Sequence, residues 1–66
     1  MEERWKLKSS DNELKFFFDD KLIIHLYKVN QLWYSSILGR DEIYCHTNLS
    51  EAIKDAETGA KECGWI

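Results

Sequence analysis

The apolar period of this chain switches from two to about 3.6 near Asn48, and that switch constrains the fold more than any other feature. Before it, short alternating runs are separated by turn residues. Trp5 and Leu7 oppose Arg4, Lys6 and Lys8 in the first run, and Ser9-Ser10-Asp11-Asn12 closes it. Leu14, Phe16 and Phe18 oppose Glu13, Lys15 and Phe17 in the second, and Asp19-Asp20 forms the next turn. The third run sets Leu22, Ile24 and Leu26 against Ile23, His25, Tyr27 and Val29. Asn30-Gln31 leads to the fourth, where Trp33 and Ile37 oppose Leu32, Tyr34 and Leu38. After Gly39-Arg40-Asp41, the segment Glu42–Thr47 is a candidate fifth strand. Short connections between such runs predict an antiparallel meander of four or five strands.

From Asn48 the apolar residues Leu49, Ala52, Ile53, Ala56, Ala60 and Cys63 share one helical face. Asn48 is a preferred N-cap residue and Glu51 stands at the third helical position, the spacing of a capping box. Gly64 suits the left-handed residue that ends a helix, and Trp65 behind it can fold back on Ala60. The helical face is mostly small, which predicts a helix lying close to the sheet. Gly59, inside the helix, costs about 1 kcal/mol against alanine and also points to close backbone approach. The expected fold is a single α+β domain over residues 1–66, a strand meander with one C-terminal helix packed on one face.

One helix covers one face. An antiparallel sheet with a bare second face usually carries polar residues there, yet the third run is apolar on both sides. Phe17, Ile23, His25 and Tyr27 are therefore expected on an outer face that meets something else, either a partner or a second copy of the chain.

The chain has 66 residues, 44% of them hydrophobic, with nine aromatics, and a net charge of −3. Residues 1–30 carry six Lys/Arg and six Asp/Glu, whereas residues 31–66 carry three and six. That balance excludes a uniformly basic nucleic-acid binder. Met1-Glu2-Glu3 does not open a signal peptide, and no stretch approaches the ~20 apolar residues of a membrane span. Two cysteines without a framework pattern predict a reducing, cytoplasmic setting.

Tyr44-Cys45-His46-Thr47 places a potential ligand pair, or nucleophile and base, side by side. Neighbours on a strand point to opposite faces, which disfavours both a shared metal ion and a nucleophilic pair. Cys63 falls at the far end of the helix from Cys45, which disfavours a disulfide. Cys45 is expected to turn inward and His46 outward. His25 has Ile23 and Tyr27 as pattern neighbours, the setting of a packed or interface histidine. No catalytic residue, metal site or cofactor is expected.

Two charged surfaces stand out. Glu51, Asp55 and Glu62 form an acidic helix stripe, in which Glu51 and Asp55 are a like-charge i,i+4 pair costing roughly 0.2–0.5 kcal/mol. An ordinary solvated face explains such a stripe; the functional alternative is docking of a basic partner. Arg4, Lys6, Lys8 and Lys15 share the outer face with Phe17 and Tyr27, a mixture that single-strand nucleic-acid sheets use.

The segment from Trp33 to Trp65, with Trp33 on a strand followed by Asn48-Leu49-Ser50-Glu51-Ala52 and Ala56-Glu57 in a helix, resembles the closing half of many short phage and prophage proteins. The resemblance covers about half the chain. It implies a stoichiometric inhibitor or accessory protein acting on host machinery, as anti-CRISPR proteins do, and no catalytic residues. The expected function is non-enzymatic protein binding in the cytoplasm, as a monomer or homodimer. The alternatives are a nucleic-acid-binding sheet or a structural subunit of a larger assembly.

Overall fold

The computed structural model describes residues 4–66; the expectation drawn from Met1-Glu2-Glu3 lies outside them. The elements are β1 (Trp5–Ser10), β2 (Glu13–Phe18), β3 (Lys21–Val29), β4 (Leu32–Ile37), β5 (Tyr44–His46) and α1 (Leu49–Glu62). The five strands pair antiparallel in chain order, so the expected meander forms and its fifth strand is real. Two hairpins turn on residues with positive φ, Asp19-Asp20 at 51° and 66° and Asn30-Gln31 at 51° and 68°. These match the type I′ turn, whose twist suits two-residue hairpins. The structure uses no glycine for it.

Residues directly opposite in a ladder share a face. One face carries Trp5, Phe18, Phe16, Leu14, Ile24, Leu26, Trp33, Ser35 and Ile37, and α1 packs on it. The other carries Lys8, Lys15, His25 and Ser36 in one row and Glu13, Tyr27, Tyr34 and Cys45 in the next.

A bulge in β3 breaks the simple alternation. Phe16 pairs with Ile24 but Phe17 pairs with Leu22, so Ile23 is the extra residue. Both Ile23 and Ile24 then belong to the core, at 1% and 6% exposure, while Leu22 joins Phe17 on the outer face at 37%. This corrects the sequence-based placement of Ile23 on the outer face. A strict period of two cannot register an inserted residue, which shifts everything beyond it by one.

The helix is capped as expected at both ends. Asn48 Oδ1 accepts a 2.9 Å bond from the Glu51 amide, while the Glu51 side chain stays in solvent, so the capping box is half made. At the other end the Trp65 amide donates to Ala60 O at 2.8 Å and the Gly64 amide to Lys61 O at 3.1 Å. Gly64 has φ 85°, and together these make a Schellman motif. The Trp65 indole also donates to Leu38 O at 2.8 Å, tying the end of the helix to the end of β4. Ala52, Ala56, Gly59 and Ala60 are the buried helical residues. A Cβ on Gly59 would collide with Ile37 Cδ1 and Arg40 Nη1, so the close approach inferred from this glycine is present. Among the described residues, no helix is long and apolar enough to cross a membrane.

The helix does not sit centrally. Its backbone lies closest to β4, then to β3 and β5, while Trp5, Leu14, Phe16 and Phe18 of β1 and β2 pack against the same core. On the β1–β2 side of the inner face Trp5, Leu14, Phe16 and Phe18 are half-buried, and Leu7 is exposed.

Candidate functional site

Part of the inner face of β1–β3 and one flank of α1 border a slot of about 380 Å³. Its walls and floor are Trp5 of β1, Phe16 of β2, and Ile24 and Leu26 of β3. Ile53, Ala56 and Glu57 of α1 form the facing wall, and Ile66 closes one end. Leu7, on the same face of β1, extends the apolar surface to the sheet edge at 55% exposure. Trp5 stacks obliquely on Phe18, ring centroids 5.0 Å apart, which fixes the outer wall. Among the described residues Glu57 is the one ionisable side chain in the lining, and it has no ion-pair partner within 4 Å. An apolar concavity with a single polar group at its rim is a common form of binding site.

The position of the slot follows from what anchors α1 elsewhere. On the opposite flank of the helix Asp55 turns inward toward β4 and β5. Its Oδ2 accepts from Ser35 Oγ at 2.6 Å and from Arg40 Nη2 at 3.1 Å, and lies 3.3 Å from His46 Nε2. Arg40 also donates to Ser35 O and Oγ at 3.3 and 3.2 Å, and its guanidinium lies 4.2 Å from the centroid of the Tyr44 ring. Burial pushes the Asp55 carboxyl up. The Ser35 hydroxyl, the Arg40 guanidinium and His46 outweigh that and hold it below its ordinary value.

This cluster holds a serine, a histidine and an aspartate, but not as a nucleophilic triad. In a triad the histidine bonds serine through one ring nitrogen and aspartate through the other. Here Nε2 alone faces both, the serine hydroxyl donates to the aspartate, and Ser35 is 0% exposed. The arrangement locks α1 onto β4 and β5.

Asp55 is thus a buried anchor, at 18% side-chain exposure, and not part of an external acidic stripe. Glu51 and Glu62 remain exposed. The like-charge cost of Asp55 beside Glu51 is offset by Arg40, a partner from outside the helix that helical spacing does not reveal. The expected orientation of β5 is reversed too. His46 faces the helix, while Cys45 is exposed and pairs across the ladder with Tyr34. Cys45 and Cys63 are free thiols. Among the described residues, no three histidine, cysteine or acidic side chains gather as a metal site would require.

On the outer face His25 and Tyr27 stand side by side, while Phe17 lies on the same face farther along, opposite Lys6 and Leu22. His25 Nε2 lies 2.9 Å from Glu13 Oε2, and its ring is 4.8 Å from Tyr27. Tyr27 stacks on Tyr34 at 5.5 Å and 14°. The Cys45 thiol, followed by burial, holds the Tyr34 phenol above its ordinary value. An open depression of about 600 Å³ runs beside Glu13, His25, Tyr27 and Ile43. Within it His25 is paired with Glu13 and packed against Tyr27.

Three of the basic residues stand near carboxylates. Arg4 makes a two-pronged pair with Asp19, Lys6 lies 3.9 Å from Asp20, and Lys15 lies 4.0 Å from Glu13. Lys8 instead sits 5.5 Å from the centroid of the Phe17 ring. No protein family, no characterised protein and no solved structure matches the chain.

Proposed function

We propose that this protein is a non-enzymatic protein-binding module that acts by stoichiometric docking, with the slot between α1 and β1–β2 as its contact surface. The off-centre helix carries the reading. Trp5, Phe16 and Ile53 are only half-buried along the slot and Leu7 beside it is exposed, so apolar area remains to offer a partner. The role is that of an inhibitor or accessory protein of the phage type, working in the cytoplasm of the cell that houses its target. Glu51 and Glu62 can steer a basic partner, and the aromatic outer face is a second, flatter surface. The nucleic-acid alternative is the weaker reading, because Arg4 is paired with Asp19 and the chain carries a net charge of −3.

The test is affinity capture from nuclease-treated bacterial lysate with the wild type and with Ile53→Asp, a half-buried slot position. The expected result is a protein held in fixed stoichiometry by the wild type and lost by the variant, with both chains folded by circular dichroism. Equal capture by the two chains, or capture abolished by nuclease, would overturn the reading.

A further inference from the structure

We propose that residues 40–47 form a strap over the edge of β4, clasped shut by the Asp55 carboxylate, which opens as a unit while β1–β4 and α1 stay folded.

The strap has almost no apolar hold. Among the described residues, none from Leu38 to Asn48 belongs to the hydrophobic core. From Arg40 to Thr47 every residue is exposed except Arg40 and His46. Ile43 and Tyr44 are 54% and 42% exposed. Burial of apolar surface, which dominates the stability of a core, contributes little to this segment.

The two side chains that do turn inward both reach Asp55. Arg40 Nη2 lies 3.1 Å and His46 Nε2 3.3 Å from Asp55 Oδ2. Ser35 Oγ spends its one proton on the same oxygen, at 2.6 Å. The His46 nitrogen that faces both oxygens is therefore the donor, Nε2–H. Both Arg40 and His46 come from the strap, one near each end, while Asp55 and Ser35 belong to α1 and β4. One carboxylate fastens both ends. Backbone ties add a ladder of three residue pairs, Trp33–His46, Tyr34–Cys45 and Ser35–Tyr44, and the Arg40 amide bond to Ile37 O at 3.0 Å.

Other contacts lie inside the strap and keep it in one piece. Arg40 Nε donates to Glu42 O at 3.3 Å, and the Tyr44 hydroxyl donates to Glu42 Oε1 at 3.2 Å. Its two ends are pinned to the body. The Leu38 amide donates to Ile23 O at 2.8 Å and Leu38 O accepts from the Trp65 indole, while Asn48 caps α1. Gly39, with φ 97°, follows the first pin and is the hinge.

Opening bares the backbone groups of β4 that face β5. An uncovered edge of this kind is a template for a further strand, so the closed strap guards it. The strap and the slot lie on opposite flanks of α1 and do not depend on each other.

The test is native-state hydrogen exchange of the full chain, labelled with nitrogen-15, at rising sub-denaturing urea. The amides of Trp33, Tyr34 and Ser35 alternate between bonding to β3 and to β5. The expected result is faster exchange, nearly independent of urea, for those that bond to β5. The amides that bond to β3, with Ile24, Leu26 and Ala56, should exchange slowly and respond steeply to urea. In the urea-independent range Asp55→Asn should speed the first set about tenfold or more, His46→Gln about threefold, and the exposed Glu51→Gln not at all. His46→Gln decides the clasp if Asp55→Asn does not fold.

One common rate and urea slope for both sets would overturn the strap, as would a β5-facing set with no protection in the wild type. Strap exchange unchanged by Asp55→Asn or His46→Gln would remove Asp55 as its clasp.

Discussion

Ser35 Oγ donates a 2.6 Å hydrogen bond to Asp55 Oδ2, joining the middle of β4 to the middle of α1. Both groups sit where water barely reaches, and Arg40 supplies the opposite charge at 3.1 Å. A buried polar cluster stabilises only while every member is satisfied. Here, among the described residues, no buried side-chain polar atom lacks a partner.

Removing one member should therefore cost more than the bond itself. Asp55→Ala strands the guanidinium of Arg40, at 14% side-chain exposure, and is expected to destabilise the fold on the order of 3 kcal/mol. Ser35→Ala should cost about 1–2 kcal/mol, and the double variant less than the sum. Urea titration of the four chains measures the coupling; strict additivity would mean that the two residues act independently.

The same carboxylate makes stability depend on acid. The folded-state value of Asp55 is depressed from its ordinary 3.8, so the folded state binds this proton less readily than the unfolded chain does. Its contribution is present above the unfolded value and is lost as pH falls below about 4 through the folded value. Melting temperature measured from pH 6 to pH 2 should fall less steeply for Asp55→Asn than for the wild type. Parallel profiles would remove Asp55 from the acid transition.

Gly59→Ala pits helix propensity against packing. Alanine gains about 1 kcal/mol of propensity, but its Cβ meets Ile37, 2% exposed, and the Arg40 side chain held by Asp55. Overpacking costs roughly 1–3 kcal/mol, so net destabilisation of about 1 kcal/mol is expected. Thr58→Ala, next to it and exposed, should be neutral or stabilising. A stabilised Gly59→Ala chain would show that α1 can lift from the sheet at little cost.

Gln31 has φ 68° in the Asn30-Gln31 turn, a region that disfavours side chains other than glycine. Gln31→Gly should stabilise by about 1 kcal/mol, or roughly 4–8 °C in Tm for a domain of this size. Calorimetry on the two chains decides; an unchanged or lowered Tm would mean the turn is not the type I′ form described.

The bulge in β3 gives the sharpest mutational contrast. Ile23→Ala should cost about 2–5 kcal/mol, because the residue is 1% exposed. Leu22→Ala, at 37% exposure, should cost much less, under about 1 kcal/mol. Simple alternation predicts the reverse order, so chemical denaturation of this pair tests the register directly.

The sequence by itself determined the local elements. Alternating runs, turn residues and the Asn48 and Gly64 caps defined the meander and the helix, because backbone propensity and capping act within a few residues. That Phe17, His25 and Tyr27 share the outer face was legible for the same reason. Tertiary structure alone decided three things. The inserted Ile23 in β3 exchanged the roles of Leu22 and Ile23, since an extra residue is defined only against a paired strand. His46 turned inward because Asp55 and Ser35 wait on the other side, not because of its own neighbours. And α1 came to rest over β3–β5 because Asp55 is held there by residues from three separate segments, Ser35, Arg40 and His46. Helical periodicity shows which side of a helix is apolar, but not where along a sheet that side settles. The slot exists because that lateral position was fixed by a polar anchor on one flank, leaving Trp5, Phe16 and Ile53 only half-buried on the other.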